Sequence, residues 1–273
     1  MSHEGGFSAE ASIRDDADVS HDFSANGITV PYRIRFDECG PDGNARTSSL
    51  LRYAQDIAWI HSDGLGFTRE WYAERGLAWV VRAAELTILA PVALGSTLLL
   101  STAPTGFRRV WGRRRTEARL ESGELAMWGY TDWVMTDHRG MPGRIPAEFP
   151  AAFAVPPGTF EPVRVPLPET SADATVLRTV VRPQDLDPMG HVNNAAYLDY
   201  LEEALHAAGD AARAALVAVP RRVRLEYAAA ASPGEALTGS AWLVNGTADG
   251  GWAWRLTDDD GRDLARGQVN RVV

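Results

Sequence analysis

The sequence predicts an α+β chain built from two copies of one unit, each a long helix wrapped by an antiparallel sheet. Three observations carry this. Ile34-Arg35, Pro41, Gly43, Leu51 and Tyr53 are matched by Val181-Arg182, Pro188, Gly190, Leu198 and Tyr200, all at the 147-residue separation that takes Gly43 to Gly190. A repeat of that length is a duplicated domain, not a solenoid unit. Five prolines between Val155 and Pro168 exclude a central strand there and mark a linker. Each half then reads as strand, turn, helix and a run of strands punctuated by Gly, Pro and Ser.

The elements follow in order. Residues 1–27 hold few large apolar side chains and read as a mobile tail. Ile28–Phe36 alternates as a strand does. A Gly/Asp/Pro/Asn cluster at Glu38–Asn44 turns the chain into a helix from Thr47 to Asp63. Its spacing puts Leu50, Ala54, Ile57 and His61 on one face, with Arg52 and Asp56 away from it. Thr47, Ser48 or Ser49 suits its start and Gly64 or Gly66 its end. A short helix, Arg69–Arg75, is closed by Gly76. Strands at Leu77–Leu89, Thr97–Ala103, Arg108–Leu120 and Leu125–Thr136 are separated by Pro91/Gly95, Thr105-Gly106 and Ser122-Gly123, which reads as a meander.

Beyond the linker a strand at Val176–Arg182 leads to a turn at Pro183–Gly190 and a helix from Asn194 to Val217. Strands follow at Arg222–Ala229, Ala236–Val244, Trp252–Thr257 and Leu264–Val272. The second helix is apolar over Leu198, Leu201, Ala204, Leu205 and Ala208, as a helix enclosed by a sheet must be. One such unit alone exposes sheet edge and apolar face, so the two units are expected to pair. The expected organisation is a tail at 1–27, a first unit at 28–154, a linker at 155–171 and a second unit at 172–273. The edges that remain make a homodimer of whole chains an expectation as well.

Composition narrows the function. The net charge of −9 argues against nucleic acid as the main partner, because phosphate neutralisation needs a basic surface. All 27 basic side chains are Arg, so Schiff-base lysine chemistry and a Walker-type phosphate lysine are excluded. The single cysteine, Cys39, excludes a disulfide framework and any multi-cysteine metal site. The longest apolar run, Leu94–Leu100, is broken by Gly95, Ser96 and Thr97, so no membrane span is expected. With a polar, acidic start to the sequence, the expected compartment is the cytoplasm.

Asp187-Pro-Met-Gly-His191-Val-Asn-Asn-Ala-Ala-Tyr197 resembles the turn-to-helix signature of hot-dog-fold thioesterases. Trp79-Val-Val-Arg82, Phe107-Arg-Arg-Val-Trp111, Trp133-Val-Met135 and Arg144-Ile-Pro-Ala-Glu148 recur in this order in the acyl-ACP thioesterases. The likeness runs from Ile28 to Val273 and implies two tandem hot-dog domains. Carried over by position, the family's catalytic Asp falls on Asp187 and its His on His191. Its intervening Asn falls on Met189, and its downstream Glu-Cys pair falls near Ala230-Ala231, so a complete copy of the plant-type network is ruled out. At the repeat separation Asp187 corresponds to Gly40 and His191 to Asn44. The resemblance therefore implies one catalytic site per chain, in the second unit, with the first supplying walls for an acyl chain.

The reaction implied is hydrolysis of a fatty acyl thioester on acyl carrier protein, without metal or organic cofactor. Asp187 would serve as general base or nucleophile, and His191 would orient water or share its proton. The Gly190 N–H, in a turn before a helix, is expected as the oxyanion donor. Asn193 and Asn194 read first as helix-capping residues and second as substrate contacts. Glu202 and Glu203, on the helix, are reserve carboxylates. Alternation places Arg109, Arg113, Arg115 and Arg119 on one face of a strand, either as an ordinary polar face or as a patch docking the acidic carrier. Arg221, Arg222 and Arg224 form a second such patch. Trp59, Trp71, Trp79 and Trp133 are candidates to line an apolar tunnel. The alternatives are an acyl-CoA thioesterase, a non-catalytic acyl-binding protein, favoured by Met189, Ala230 and Ala231, and a hot-dog dehydratase.

Overall fold

Two long helices, α1 (Thr47–Gly64) and α4 (Ala196–Ala207), pack side by side within one curved sheet. The computed structural model describes residues 21–155, 160–244 and 251–272. In α1 the predicted stripe of Leu50, Ala54, Ile57 and His61 is buried, while Arg52 and Asp56 face water. The Ser and Thr residues at its start do not cap it. Arg46 takes that position, and the Ser49 hydroxyl donates instead to the Glu38 carbonyl. No described helix is long and apolar enough to cross a membrane.

The first half contributes β1 (Ile28–Arg33), β2 (Leu77–Ile88), β3 (Thr97–Arg108), β4 (Trp111–Leu120) and β5 (Leu125–Asp137). The second contributes β6 (Thr175–Val180), β7 (Arg221–Tyr227), β8 (Ala236–Leu243), β9 (Trp252–Asp258) and β10 (Asp263–Arg271). Each half has the same internal order, and the two join through an antiparallel β2–β7 seam running from Ala83 opposite Glu226 to Ile88 opposite Arg221. Among the described residues the result is one antiparallel sheet of ten strands. The main core, from Ile34 to Val269, is shared by both halves. Sharing it buries the seam edge and the apolar helix faces that one unit would leave in water.

The duplication extends to side chains. In the first half Arg35 grips Glu38 through its backbone and guanidinium, and the Tyr53 hydroxyl donates to the same carboxylate. In the second half Arg182, Asp185 and Tyr200 repeat the arrangement at the same separation. Burial alone would raise the Asp185 carboxyl. The hydrogen bonds from Arg182 and Tyr200 outweigh it and hold the group below the ordinary carboxylate range. Asp185, expected as a simple turn residue, is thus a buried anchor beneath the turn that follows it.

Four sequence expectations are corrected. The turn between β3 and β4 falls at Arg109-Val110, and Pro104–Gly106 is a bulge within β3. The expected helix at 194–217 is two helices, α4 and α5 (Asp210–Val217), divided at Gly209, whose φ of 106° is open to glycine but not to side-chain-bearing residues. Residues 21–27, assigned to the tail, lie on the sheet: the His21 N–H donates to Glu117 and the Asn26 amide to the Pro104 carbonyl. The rest of that tail lies outside the described residues. The linker, of which residues 156–159 are also outside them, is clamped at two carboxylates. Val163 N–H donates to Asp132 (2.7 Å) and Val165 N–H to Glu226 (3.1 Å).

Candidate active site

The turn before α4 is closed by its own backbone. Leu186 bridges Val192, Asp187 N–H donates to the His191 carbonyl (2.8 Å), and Gly190 N–H donates to the Asp187 carbonyl (2.9 Å). Gly190 sits at φ 77°, the left-handed region that this reversal requires. The Asp187 carboxylate folds back, and its Oδ1 accepts N–H bonds from Met189 (2.8 Å) and His191 (3.3 Å). Asn193 Oδ1 accepts from Ala195 N–H (2.9 Å) within the turn that leads into α4, whose N-cap position, Ala195, has no side-chain cap. The first half closes its turn in the same way, with Gly43 N–H on the Gly40 carbonyl. The Gly190 N–H is therefore a turn-closing group in both copies. It is committed to a carbonyl and is not available to an oxyanion.

This turn stands at the mouth of a cavity of about 460 Å³. Met189, 58% exposed, is its lining residue there, and Arg69 from α2 (Arg69–Arg75) donates to the Pro188 carbonyl at 3.4 Å. Asp187 and His191 stand two residues either side of Met189, half-buried and exposed respectively. Among the described residues no hydrogen bond joins their side chains. All other lining residues come from the first half.

Three of the four predicted tryptophans, Trp59, Trp79 and Trp133, line the cavity. Trp71 lies one layer behind, edge-on to Phe67 (5.1 Å) and Phe149 (5.5 Å). Phe149, from α3 (Glu148–Ala152), and Phe153 just after it complete an aromatic cluster separate from the main core.

At the inner wall lies a group that sequence reasoning passed over. Arg114 is buried, and burial pushes its guanidinium down to about 10. Its Nη1 donates to His61 Nδ1 (3.0 Å) and its Nη2 to the Ser62 hydroxyl (3.4 Å). Because guanidinium only donates, His61 must be the neutral tautomer that accepts at Nδ1. Burial, then the Arg114 charge, pushes His61 down to about 4. Its folded value lies below its unfolded one, so its contribution to stability is complete above about pH 6.5 and is lost as pH falls towards about 4. Thermal unfolding from pH 7 to pH 4.5 should show wild type losing more Tm than His61→Asn, which keeps an acceptor and does not titrate. Equal losses would refute the assignment.

The arginine patches do not form as expected. Arg109 is exposed in the β3–β4 turn. Arg113 makes a two-pronged bond to fully buried Asp132 (2.7 and 2.8 Å), donates to the Glu161 carbonyl and lies under Phe160. Arg115 is buried against Glu117 and Tyr130. Arg113 and Arg115 share one face of β4 as alternation expects, but the linker meets Arg113 and His21 meets the Glu117 that binds Arg115, while Arg109 lies outside the strand. Arg221 and Arg222 are buried, and Arg224 binds Glu85 (2.7 Å) at the seam.

Known proteins share this design. Residues 27–153 match the acyl-ACP thioesterase N-terminal domain, and residues 181–270 the thioesterase-like superfamily. A palmitoyl-acyl carrier protein thioesterase of chloroplasts from Cuphea hookeriana is 27% identical over 63% of this chain and 45% of its own length. The match thus spans less than half of that curated relative. Among solved structures, a Lactobacillus plantarum protein assigned as an oleoyl thioesterase superposes with a TM-score of 0.80 at 22% identity, covering 90% of this chain and 96% of that one. A 12:0-ACP thioesterase from Umbellularia californica gives 0.74 at 19% identity, covering 89% and 93%. The fold is a tandem hot-dog, and the chain is related to the acyl-ACP thioesterases through the match of its residues 27–153 to their N-terminal domain.

Proposed function

We propose that the chain hydrolyses the thioester of a fatty acyl group carried on acyl carrier protein. The observation that supports this reading is the placement of the Asp187 turn, through Met189, at the mouth of an aromatic-walled cavity belonging to the other half. The acyl chain occupies that cavity, where burial contributes about 0.8 kcal/mol per methylene, and the thioester stays at the rim. With Oδ1 fixed by two backbone N–H groups, Oδ2 of Asp187 is left to take the proton of the attacking water. Water adds to the carbonyl carbon, the C–S bond breaks, and the carrier thiol leaves with a proton passed through His191.

Because the amides of the turn are committed, charge on the thioester oxygen falls to side chains of the cavity rim, where Gln55 and Arg69 stand. Gln55→Leu or Arg69→Met, whichever removes the donor, lowers kcat about 10²-fold with little change in KM. Retention of full kcat by both variants would reject this source.

The direct test is thiol release across a length series of acyl-carrier substrates, with matched acyl-CoA compounds beside them. The proposal expects faster turnover of the carrier-linked series. Binding without turnover at every length would instead favour a non-catalytic acyl-binding protein. Chain length should respond to Gly112, whose added Cβ would lie 3.2 Å from both Phe107 and Trp79 on the cavity wall. Gly112→Val should cut kcat/KM for the longest accepted chain about fourfold per displaced methylene and spare shorter chains. An unchanged length profile would place the acyl chain elsewhere.

A further inference from the structure

A second cavity, of about 310 Å³, lies where the internal symmetry would copy the first. The first is closed by the turn of the second half over α1; this one is closed by the turn of the first half, Gly40–Asn44, over α4. Residues correspond at the same separation of 147: Met189 is replaced by Asp42, Gln55 by Glu202 and Trp59 by His206.

Its chemistry has diverged from an aromatic slot to a charged one, with Asp42 and Glu202 beside three arginines. Arg46, Arg213 and Arg221 line it. Arg46 already lies 3.8 Å from Glu202, and Arg213 binds Asp210. Arg221 is different. It is 6% exposed, its Nη2 donates to the Thr47 hydroxyl (3.0 Å) and its Nη1 to the Ala218 carbonyl (3.0 Å). Its Nε is buried and without a partner among the described residues. Its hydrogen bonds go to neutral oxygens, and Asp42 and Glu202 act on it only through space, so this buried guanidinium keeps an unused donor for a singly charged anion. Leu50, Ile88, Val92 and Leu216 supply apolar walls, so the anion that fits carries an alkyl tail. Glu202 and Asp42 on the same wall disfavour a doubly charged head.

We propose that this second cavity binds a free medium-chain carboxylate, its head on Arg221 and its tail among Leu50, Ile88 and Leu216. Such an acid is what the proposed hydrolysis releases, so the cavity is a seat for product away from the reacting centre. Only that biological identity rests on the proposed function; the binding itself does not.

The test is octanoate titration followed by NMR at the ring protons of His206, which lines this cavity and not the first. Wild type should give a saturable shift. Arg221→Gln should weaken it at least tenfold. Ala214→Trp, an exposed position on α5 that lines the cavity, should abolish it without touching the core. Inorganic phosphate should bind at least tenfold more weakly than octanoate. No saturable shift in wild type, a shift that survives both variants, or phosphate binding as tightly as octanoate would each overturn the proposal. The readout needs no turnover, so a chain that failed to hydrolyse thioesters would leave this result standing, and the reverse.

Discussion

Asp187→Asn is expected to lower kcat for acyl-carrier hydrolysis by about 10²–10⁴-fold, the span typical of a lost general base. Asparagine is the informative replacement, because its Oδ1 still accepts the N–H groups of Met189 and His191 and so keeps the turn closed. KM should move little, since the acyl chain is held in the other half, and Tm should stay within a few degrees. Alanine would remove the base and the turn acceptor together and confound the two. A kcat near wild type in the asparagine variant would move catalysis off this turn.

The largest stability effect should come from a residue far from the chemistry. Asp132 is fully buried, receives both prongs of Arg113 and accepts the linker's Val163 N–H. Asp132→Ala strands a guanidinium and an amide at once, and breaking a buried pair by removing one partner costs about 3–5 kcal/mol. Urea unfolding should show that loss, with the linker becoming open to protease under native conditions. A change below about 1 kcal/mol, with the linker still resistant, would mean that other contacts hold it. Asp132→Ala combined with Arg113→Met should recover part of the loss, because no charge is then left unpaired.

What the sequence made legible was whatever is written locally or written twice. The α1 stripe, the Gly76 stop, the turn at Gly190 and the repeat itself each depend on neighbours within a few residues or on a copy elsewhere in the chain. The burial of Arg113 and Arg115 was not legible, for a different reason. Alternation fixes which face of β4 they share, but whether water or protein covers that face depends on residues 21–27 and the linker, which are distant in sequence. The same alternation put Arg114 on the inner face, a signal in plain view that such a wall holds a cation. Gly190 illustrates a third limit. A glycine turn before a helix suggests free amides, yet each N–H finds its acceptor only in the folded chain, and here the acceptors are the turn's own oxygens.

Arg52 and Asp199 occupy the same repeat position and meet each other as an ion pair between the two long helices. Two identical subunits could not make that contact, since each would present its own charge to itself across the axis. Fusing the copies into one polypeptide removed that constraint and let opposite charges settle where a dyad would forbid them. The same freedom let one concavity become greasy and its sibling charged. Having once specialised in this way, the halves have become complementary partners and are no longer interchangeable ones.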